Sequence, residues 1–481
     1  MKQIYECYIK TLAPLHIGCD EVYEPTGFVV DETKKELVSF DPIDFISRMD
    51  AGEKQRFSAI CTKGTVESIL EIYKFLKGKQ ADGKRVQLCA GFVNHYNKTI
   101  ALPINDKRKV QQELGKFAVS RTSFLSGDER PYIPGSAVKG SLRTAFLNAK
   151  ARRTPMSTPG GRNAANDLEK NLLNYNDLAN DPFRLVKVSD FMPVGEIATR
   201  IVYAVDVKKA AGEGAKGPPQ ILEIILPGAV FRGAIVVEEP LTRQAVREPI
   251  QLDVLIKSGG WFYDKEFNRE KMELQPAGVQ IPDGFFSKNA MPIRIGRHSG
   301  AESVTIEGHR KIKILAGKGK QPFELDHATT VWLASENARP QNAGHCKPFG
   351  WAELCELTPS FTKEFENREK EWRSNEAERK PAVSLQFNGG ITEKSSISQP
   401  PPPEMKKAPD PEIWEKAVLS YAPNTQTVSA KWEGKNAATK DISLLPEALL
   451  VALKKKKKTV TAKVTAEFIG GREYRLVGIS E

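Results

Sequence analysis

The chain of 481 residues is short of what most catalytic and export signatures need. Its six cysteines (Cys7, Cys19, Cys61, Cys89, Cys346, Cys355) include no CxxC spacing, and the gap from Cys346 to Cys355 is too long for a usual zinc knuckle. A reduced, cytosolic thiol set is the plain reading. There is no HExxH, and no HxE with a PCxxC partner, so zinc chemistry lacks ligands at a workable spacing. GxSxG is absent, which removes one serine-hydrolase signature. No Asp-Asp pair of the kind that holds a polymerase's magnesium occurs, and no His-Asp doublet. Asp190, Asp206 and Glu223 are carboxylates of a type that serves metal-assisted nucleases, but nothing in their spacing singles them out. No catalytic residue, metal ligand or cofactor is therefore assigned. No apolar run approaches the ~20 residues that cross a bilayer. The opening MKQIYECYIK has no apolar core of signal-peptide length. The expectation is a cytoplasmic protein with no membrane partner.

What is present is ordinary globular material, 40% apolar and 27% charged, long enough for two or three domains. A net charge of +11 tilts the choice of partner towards a polyanion. Residues 4–12 alternate as a first strand, with Tyr5, Cys7 and Ile9 on one face. Residues 28–30 and 37–40 read as a hairpin around the charged turn 31–36. Asp41-Pro42 reads as a helix cap followed by proline at the first helical position. A helix opens at Gly135-Ser136, with Val138, Leu142, Ala145 and Ala149 on one face and Lys139, Arg143 and Lys150 on another. Strands follow over 201–207, 221–225 and 230–237, a short polar helix over 264–276, then strands over 293–295, 311–315, 329–333 and 351–357. Residues 362–381 read as a solvated helix or flexible arm, and the prolines at 400–403 mark a linker. The last ~70 residues resume strand patterns around the five-lysine run Lys454–Lys458. The pattern argues for α+β architecture.

The densest constellation is Met291–Ile314, MPIRIGRHSGAESVTIEGHRKIKI. Gly296, Gly300 and Gly308 permit positive φ and close backbone approach, which turns N–H groups towards an anion. Arg294, Arg297, Arg310, Lys311 and Lys313 spread charge along the segment as a phosphodiester chain would require, and His298 and His309 can donate or stack on bases. The competing reading is a basic hairpin with glycine turns. The second constellation, Tyr132–Phe146, offers the N–H groups of a helix start at Gly135-Ser136, flanked by Lys139 and Arg143. It is not a Walker A loop, and an amphipathic helix with solvated cations explains it equally. The third is Leu15-His16-Ile17-Gly18, after the first strand. The fourth, Lys454–Lys458, is either a solvated charge run or a source of salt-sensitive RNA affinity.

Taken together, the HIG segment at 16–18, PGSAVKGSLRTAF at 134–146, Ile293–Ile314 and KPFGWAEL at 347–354 resemble, in order, the motifs of the RAMP superfamily of CRISPR-associated proteins. Within it the likeness is to the fifth subunits of type III-A (Csm) effector complexes, over about residues 1–357. The resemblance implies two ferredoxin-like, RRM-related domains, at 1–200 and 201–357. A charged and Pro-rich linker (358–411) and a small β-rich module (412–481) then follow as a lineage-specific extension. It implies a non-catalytic subunit that caps the crRNA 3′ side of the filament. Its partners would be crRNA, the repeated backbone RAMP subunit, the small subunit and host nucleases that mature the guide. The candidate RNA contacts on this view are His16, Gly18, Ser136, Lys139, Arg143, Arg294, Gly296, Arg297, His298, Ser299, Gly300, Arg310 and Lys313. The loop at 296–308 has fewer consecutive glycines than the family's, and the backbone subunit's catalytic aspartate maps to no position here. The alternative is a RAMP endoribonuclease that processes precursor crRNA without metal, with His16 as its acid or base.

Overall fold

The computed structural model describes residues 2–209, 217–240, 246–281, 284–315, 319, 321–379, 412–422, 427–433, 435–439, 441, 444–454, 460–470 and 473–480. Most of the expected loop at 212–219, the proline-rich segment 396–411 and lysines 455–458 lie outside these residues. The chain forms two compact units, one up to residue 383 and one from 384 onward.

The first unit is mixed α/β, built on two sheets. One runs in the order Met291–Arg294, Trp351–Glu356, Lys2–Thr11, Val230–Glu238, Val186–Val188, with every neighbouring pair antiparallel. The short strand Met192–Pro193 also pairs with Val230–Glu238. Helices Gly135–Arg153 and Leu252–Leu274 pack against each other, and the second also covers Met291–Arg294. The other sheet runs Gly18–Val22, Val119–Thr122, Gln220–Ile225, Thr199–Lys208, Lys84–Leu88, Glu36–Ser39, Phe28–Asp31, and Thr330–Ser335 also joins Thr199–Lys208. Both sheets draw strands from either side of residue 200, and one continuous apolar core serves them, from Ile9 and Trp351 to Val202 and Leu333.

The local readings hold where the signal is chemical. Asp41 caps helix Pro42–Ser47 by accepting from the Ile43 and Asp44 amides at 2.7 and 3.1 Å. Val138, Leu142 and Ala145 are fully buried on the Gly135 helix. Two readings are corrected. The polar helix expected at 264–276 is the second half of a 23-residue helix, Leu252–Leu274. Within it Gly259 lies against Met291, where a Cβ would come within 2.4 Å of Met291 Sδ. The segment after 358 forms helix Pro359–Arg379, and one edge of it is not solvated. Phe361 and Phe365 each lie 5.1 Å from the Tyr8 ring, and Phe365 is buried. Arg130 clamps Glu369 through two hydrogen bonds of 2.8 and 3.1 Å and lies 3.5 Å over Trp372. That contact explains why Cys7, Tyr8 and Ile9 are buried in succession instead of alternating: the helix covers the face that water would otherwise hold.

The second unit is a closed five-stranded barrel in the order Glu412–Ala422, Thr427–Trp432, Lys435–Thr439, Glu473–Ser480, Val460–Gly470 and back to the first. Helix Glu447–Lys454 lies between the third and fourth strands in sequence. The third and last strands pair in parallel; the other pairs are antiparallel. Trp414, Leu419, Val428, Val464 and Leu476 fill its interior.

Candidate nucleic-acid interface

Four segments far apart in sequence are tied into one knot by backbone bonds. Leaving the first strand, Leu12 and Ala13 both donate to Trp351 O at 3.0 Å, and Gly350 N donates to Pro14 O at 2.9 Å. Ile295 N donates to Gly350 O at 3.0 Å, and Arg297 N to His16 O at 2.8 Å. Ser141 Oγ, on the Gly135 helix, donates to Arg294 O at 2.7 Å. The motif glycines are what let the chains approach. Gly296 has φ +85°, and a Cβ there would sit 2.5 Å from His16 O. Gly350 has φ +84°, and a Cβ would sit 2.4 Å from Ile295 O.

Burial divides the candidate residues into those that hold the knot and those that face outward. Arg294 is inside. It pairs with Glu270 at 2.7 Å, donates to Phe349 O at 3.1 Å and Ser303 Oγ at 3.3 Å, and lies 4.9 Å over the Trp351 ring. Trp351 Nε1 in turn donates to Glu270 at 2.5 Å. Arg310 is also internal, bonded to Glu266 at 2.9 Å, Glu302 O at 3.0 Å and Thr305 Oγ1 at 3.2 Å. Burial alone would raise the Glu302 carboxyl, but Lys209 at 2.7 Å and the Ala328 amide at 2.8 Å hold it down at about 2. Ser299 is buried and donates to Gly296 O at 2.6 Å.

His16 is wholly buried, and its Nδ1 lies 2.8 Å from Glu223 O. Burial lowers its pKa, the nearby Arg297 adding to the effect. Glu223 is itself buried, held by Lys84 at 2.8 Å and the Thr122 amide at 3.3 Å. His309 Nδ1 lies 2.8 Å from Thr158 Oγ1. On the Gly135 helix, Arg143 is bound to Glu169 at 2.8 Å and Asp181 at 2.9 Å. The helix start is already capped, because Gly135 N donates to Asp190 Oδ1 at 2.8 Å. The phosphate expected at that amide meets a carboxylate instead.

What faces outward is narrower than the motifs. Arg297, Lys311, Lys313, Ser136 and Gly18 are exposed, and Lys139 is half-buried. Arg297, Lys313 and Lys139 have no ion-pair partner among the described residues. The pKa of Lys139 is lowered, first by burial and then by the neighbouring Lys187. Lys187, exposed on strand Val186–Val188, carries no motif signal in the sequence and adds a second cation beside Lys139. Gly296, His298 and Gly300 have φ of +85°, +65° and +81°, an alternation that turns successive amides to one side. The N–H groups of His298, Ser299 and Gly300 find no acceptor among the described residues. A left-handed histidine is strained by roughly 1 kcal/mol. Stacking of its ring on Trp332 at 4.8 Å and contact with Phe349 at 5.3 Å hold it there. The result is three amides without acceptors among the described residues next to the exposed Arg297, chemistry suited to phosphate oxygens.

His298 also makes the loop sensitive to acid. Burial, with Arg297 and His16 nearby, lowers its pKa from 6.5 to about 4. Between those values the unfolded chain takes up a proton that the folded loop does not. Stability is therefore complete above about 6.5 and declines as the pH falls towards 4. We expect a loss of about 1–2 kcal/mol between pH 7 and pH 5 from this group. His298→Asn tolerates the backbone angle and removes the titration, so its urea midpoint should fall less over the same range. Identical pH profiles for both proteins would contradict the assignment.

The profile of the RAMP superfamily matches residues 8–277. The CRISPR system Cms protein Csm5 of Methanocaldococcus jannaschii is 24% identical over 200 residues, a match that covers 38% of this chain and 42% of that protein, under half of its length. Among solved structures, a chain of a Csm–crRNA–target RNA ternary complex of a type III-A CRISPR-Cas system aligns with a TM-score of 0.49 and 20% identity, covering 73% of this chain and 100% of that one. T. onnurineus Csm5 aligns with a TM-score of 0.44 and 18% identity, over 72% and 99%. No helix among the described residues is long and apolar enough to cross a membrane.

Proposed function

This chain belongs to the RAMP superfamily, and from that membership we propose that it is an RNA-binding, non-catalytic subunit of a type III-A CRISPR (Csm) effector complex. Its role is to cap the crRNA 3′ side of the filament. The observation that carries the reading is the knot of four motifs that leaves the His298, Ser299 and Gly300 amides without an acceptor among the described residues, next to the exposed Arg297 side chain. Cations without partners at Lys139 and Lys313 extend the same chemistry, and a guide RNA backbone matches it without any demand for sequence. The related Methanocaldococcus protein is a CRISPR-system protein, a context in which such a grip has a use. The antiparallel order of the first sheet, last strand–first–third–second around helices Gly135–Arg153 and Leu252–Leu274, supports one ferredoxin-like half, interleaved in sequence with the second sheet rather than divided from it at residue 200. Neighbouring backbone and small subunits, and host nucleases that trim the guide, are the partners this role requires.

The endoribonuclease alternative has less to stand on. Its leading residue, His16, is wholly buried and engaged with Glu223 O, away from any substrate on the surface. Co-expression of the full chain with the other subunits and a guide tests the role. The chain is expected to copurify with the guide-loaded filament and to protect the guide's 3′ side from added nuclease. A filament that assembles and protects equally well without it would overturn the role. Clean cleavage of labelled repeat RNA by the purified chain in chelator would move the assignment to the enzyme.

A further inference from the structure

The barrel from 412 onward plays no part in the grip described above, and its topology has its own meaning. Five strands in closed order first–second–third–fifth–fourth, a helix between the third and fourth, and a parallel contact of third with fifth define the oligonucleotide/oligosaccharide-binding barrel. Barrels of this kind present the outer face of their second and third strands to ligand.

Here the register assembles that face residue by residue. Val418 lies opposite Lys431, and Lys431 opposite Asn436. In the adjoining row Ser429 lies opposite Ala438, and Ala438 opposite Arg475. The intervening residues Leu419, Val428, Ala430 and Ala437 are buried, so these six point away from the core. These six include two cations, and the next positions in the two rows are Glu473, opposite Asn436, and Glu467, opposite Arg475, which bound the patch on that edge. The barrel's ion pairs among the described residues, Lys435–Glu412 and Lys463–Glu415, lie off it and leave Lys431 and Arg475 unpaired. Ser429 and Ala438 form a shallow floor that a sugar–phosphate backbone can approach closely. Val418, 43% exposed, supplies an apolar edge. The hairpin carrying Lys431 and Asn436 is stiffened at its tip, where Trp432 stacks on the buried Trp414 at 5.8 Å and 20°. Twelve basic residues against eight acidic ones between 412 and 481 give the unit a positive balance. A saccharide is matched poorly, since the patch offers no aromatic platform.

We propose that the outer face of strands 412–422, 427–432, 435–439 and the start of 473–480, with Lys431 and Arg475 at its centre, is a second binding site for single-stranded RNA, which it holds by its backbone. The choice of RNA rests on the function proposed above; the site itself rests on topology and register. With no ring on the patch, binding is tolerant of sequence and steeply weakened by salt.

The test uses the full chain with a photo-crosslinking phenylalanine at Ser429 or, as control, at the exposed Ser480, which pairs with Lys463 at the end of strand Glu473–Ser480, outside the patch. Each is irradiated with a labelled single-stranded RNA of mixed sequence. The expected result is RNA crosslinked from 429 and at least about tenfold less from 480. In unlabelled protein, Lys431→Gln/Arg475→Gln should lower the slope of log affinity against log salt by about 1.4, at ~0.7 per phosphate contact on a single strand. Equal or absent crosslinking at both positions, while the chain still retains RNA through the first unit, overturns the barrel site alone. Loss of all RNA retention at low salt overturns the function proposed above as well. Displacement of the RNA from 429 by a neutral oligosaccharide also overturns the barrel site.

Discussion

Arg294→Leu is expected to destabilise the first unit by about 3–5 kcal/mol, because it strands a buried carboxylate. The Arg294 side chain has no exposed surface, and its guanidinium neutralises Glu270 at 2.7 Å. Glu270 also receives Trp351 Nε1 at 2.5 Å, and Trp351 is fully buried beneath the guanidinium. Removing the arginine leaves Glu270 charged and unpaired in the core and frees Phe349 O and Ser303 Oγ as well. A second change, Glu270→Gln, removes the orphaned charge while keeping an acceptor for the indole. The double variant should therefore be less destabilised than the sum of the two single changes. Denaturant unfolding of the four proteins checks this. A single-variant loss below about 1 kcal/mol, or strict additivity, would mean that the pair does not hold the knot.

The same residue shows how far the sequence could be read. The segment 291–314 is visibly basic and glycine-rich. The division of labour inside it is not legible there, because charge says nothing about partners. Arg294 and Arg310 find theirs on helix Leu252–Leu274, at Glu270 and Glu266. That helix runs from Leu252, whereas the sequence expectation covers only its polar second half, and Gly259 within it lies against the Met291 side chain. With the helix cut short, its stripe Glu266, Glu270, Glu273 reads as solvated, and the arginines opposite read as available. Tyr8 is misread in the same way, since the helix that covers it begins some 350 residues later in the chain. By contrast, Asp41, Gly296 and Gly350 act through local backbone chemistry, which their residue types declare. Lys187 declares nothing: its place beside Lys139 comes from the packing of strand Val186–Val188 near the Gly135 helix.

The second large effect concerns the outward residues. Arg297→Gln, Lys139→Gln and Lys313→Gln remove three cations that have no ion-pair partner among the described residues, so the fold should tolerate them with little change in stability. If each meets a phosphate, each releases ~0.7 of a counterion on a single strand, and together they account for about 2 units of salt slope. At about 0.1 M salt that corresponds to an affinity roughly a hundredfold weaker. Arg143→Gln is the informative contrast. Its guanidinium is held by Glu169 and Asp181, so the change should lower stability and leave the salt slope unmoved.

The most direct test of the account is the salt dependence of single-stranded RNA binding by the full chain and by the Arg297→Gln/Lys139→Gln/Lys313→Gln variant. The account predicts a slope shallower by about 2 in the variant, with its unfolding midpoint preserved. An unchanged slope in a folded variant would contradict the claim that the four-motif knot presents a grip for an RNA backbone.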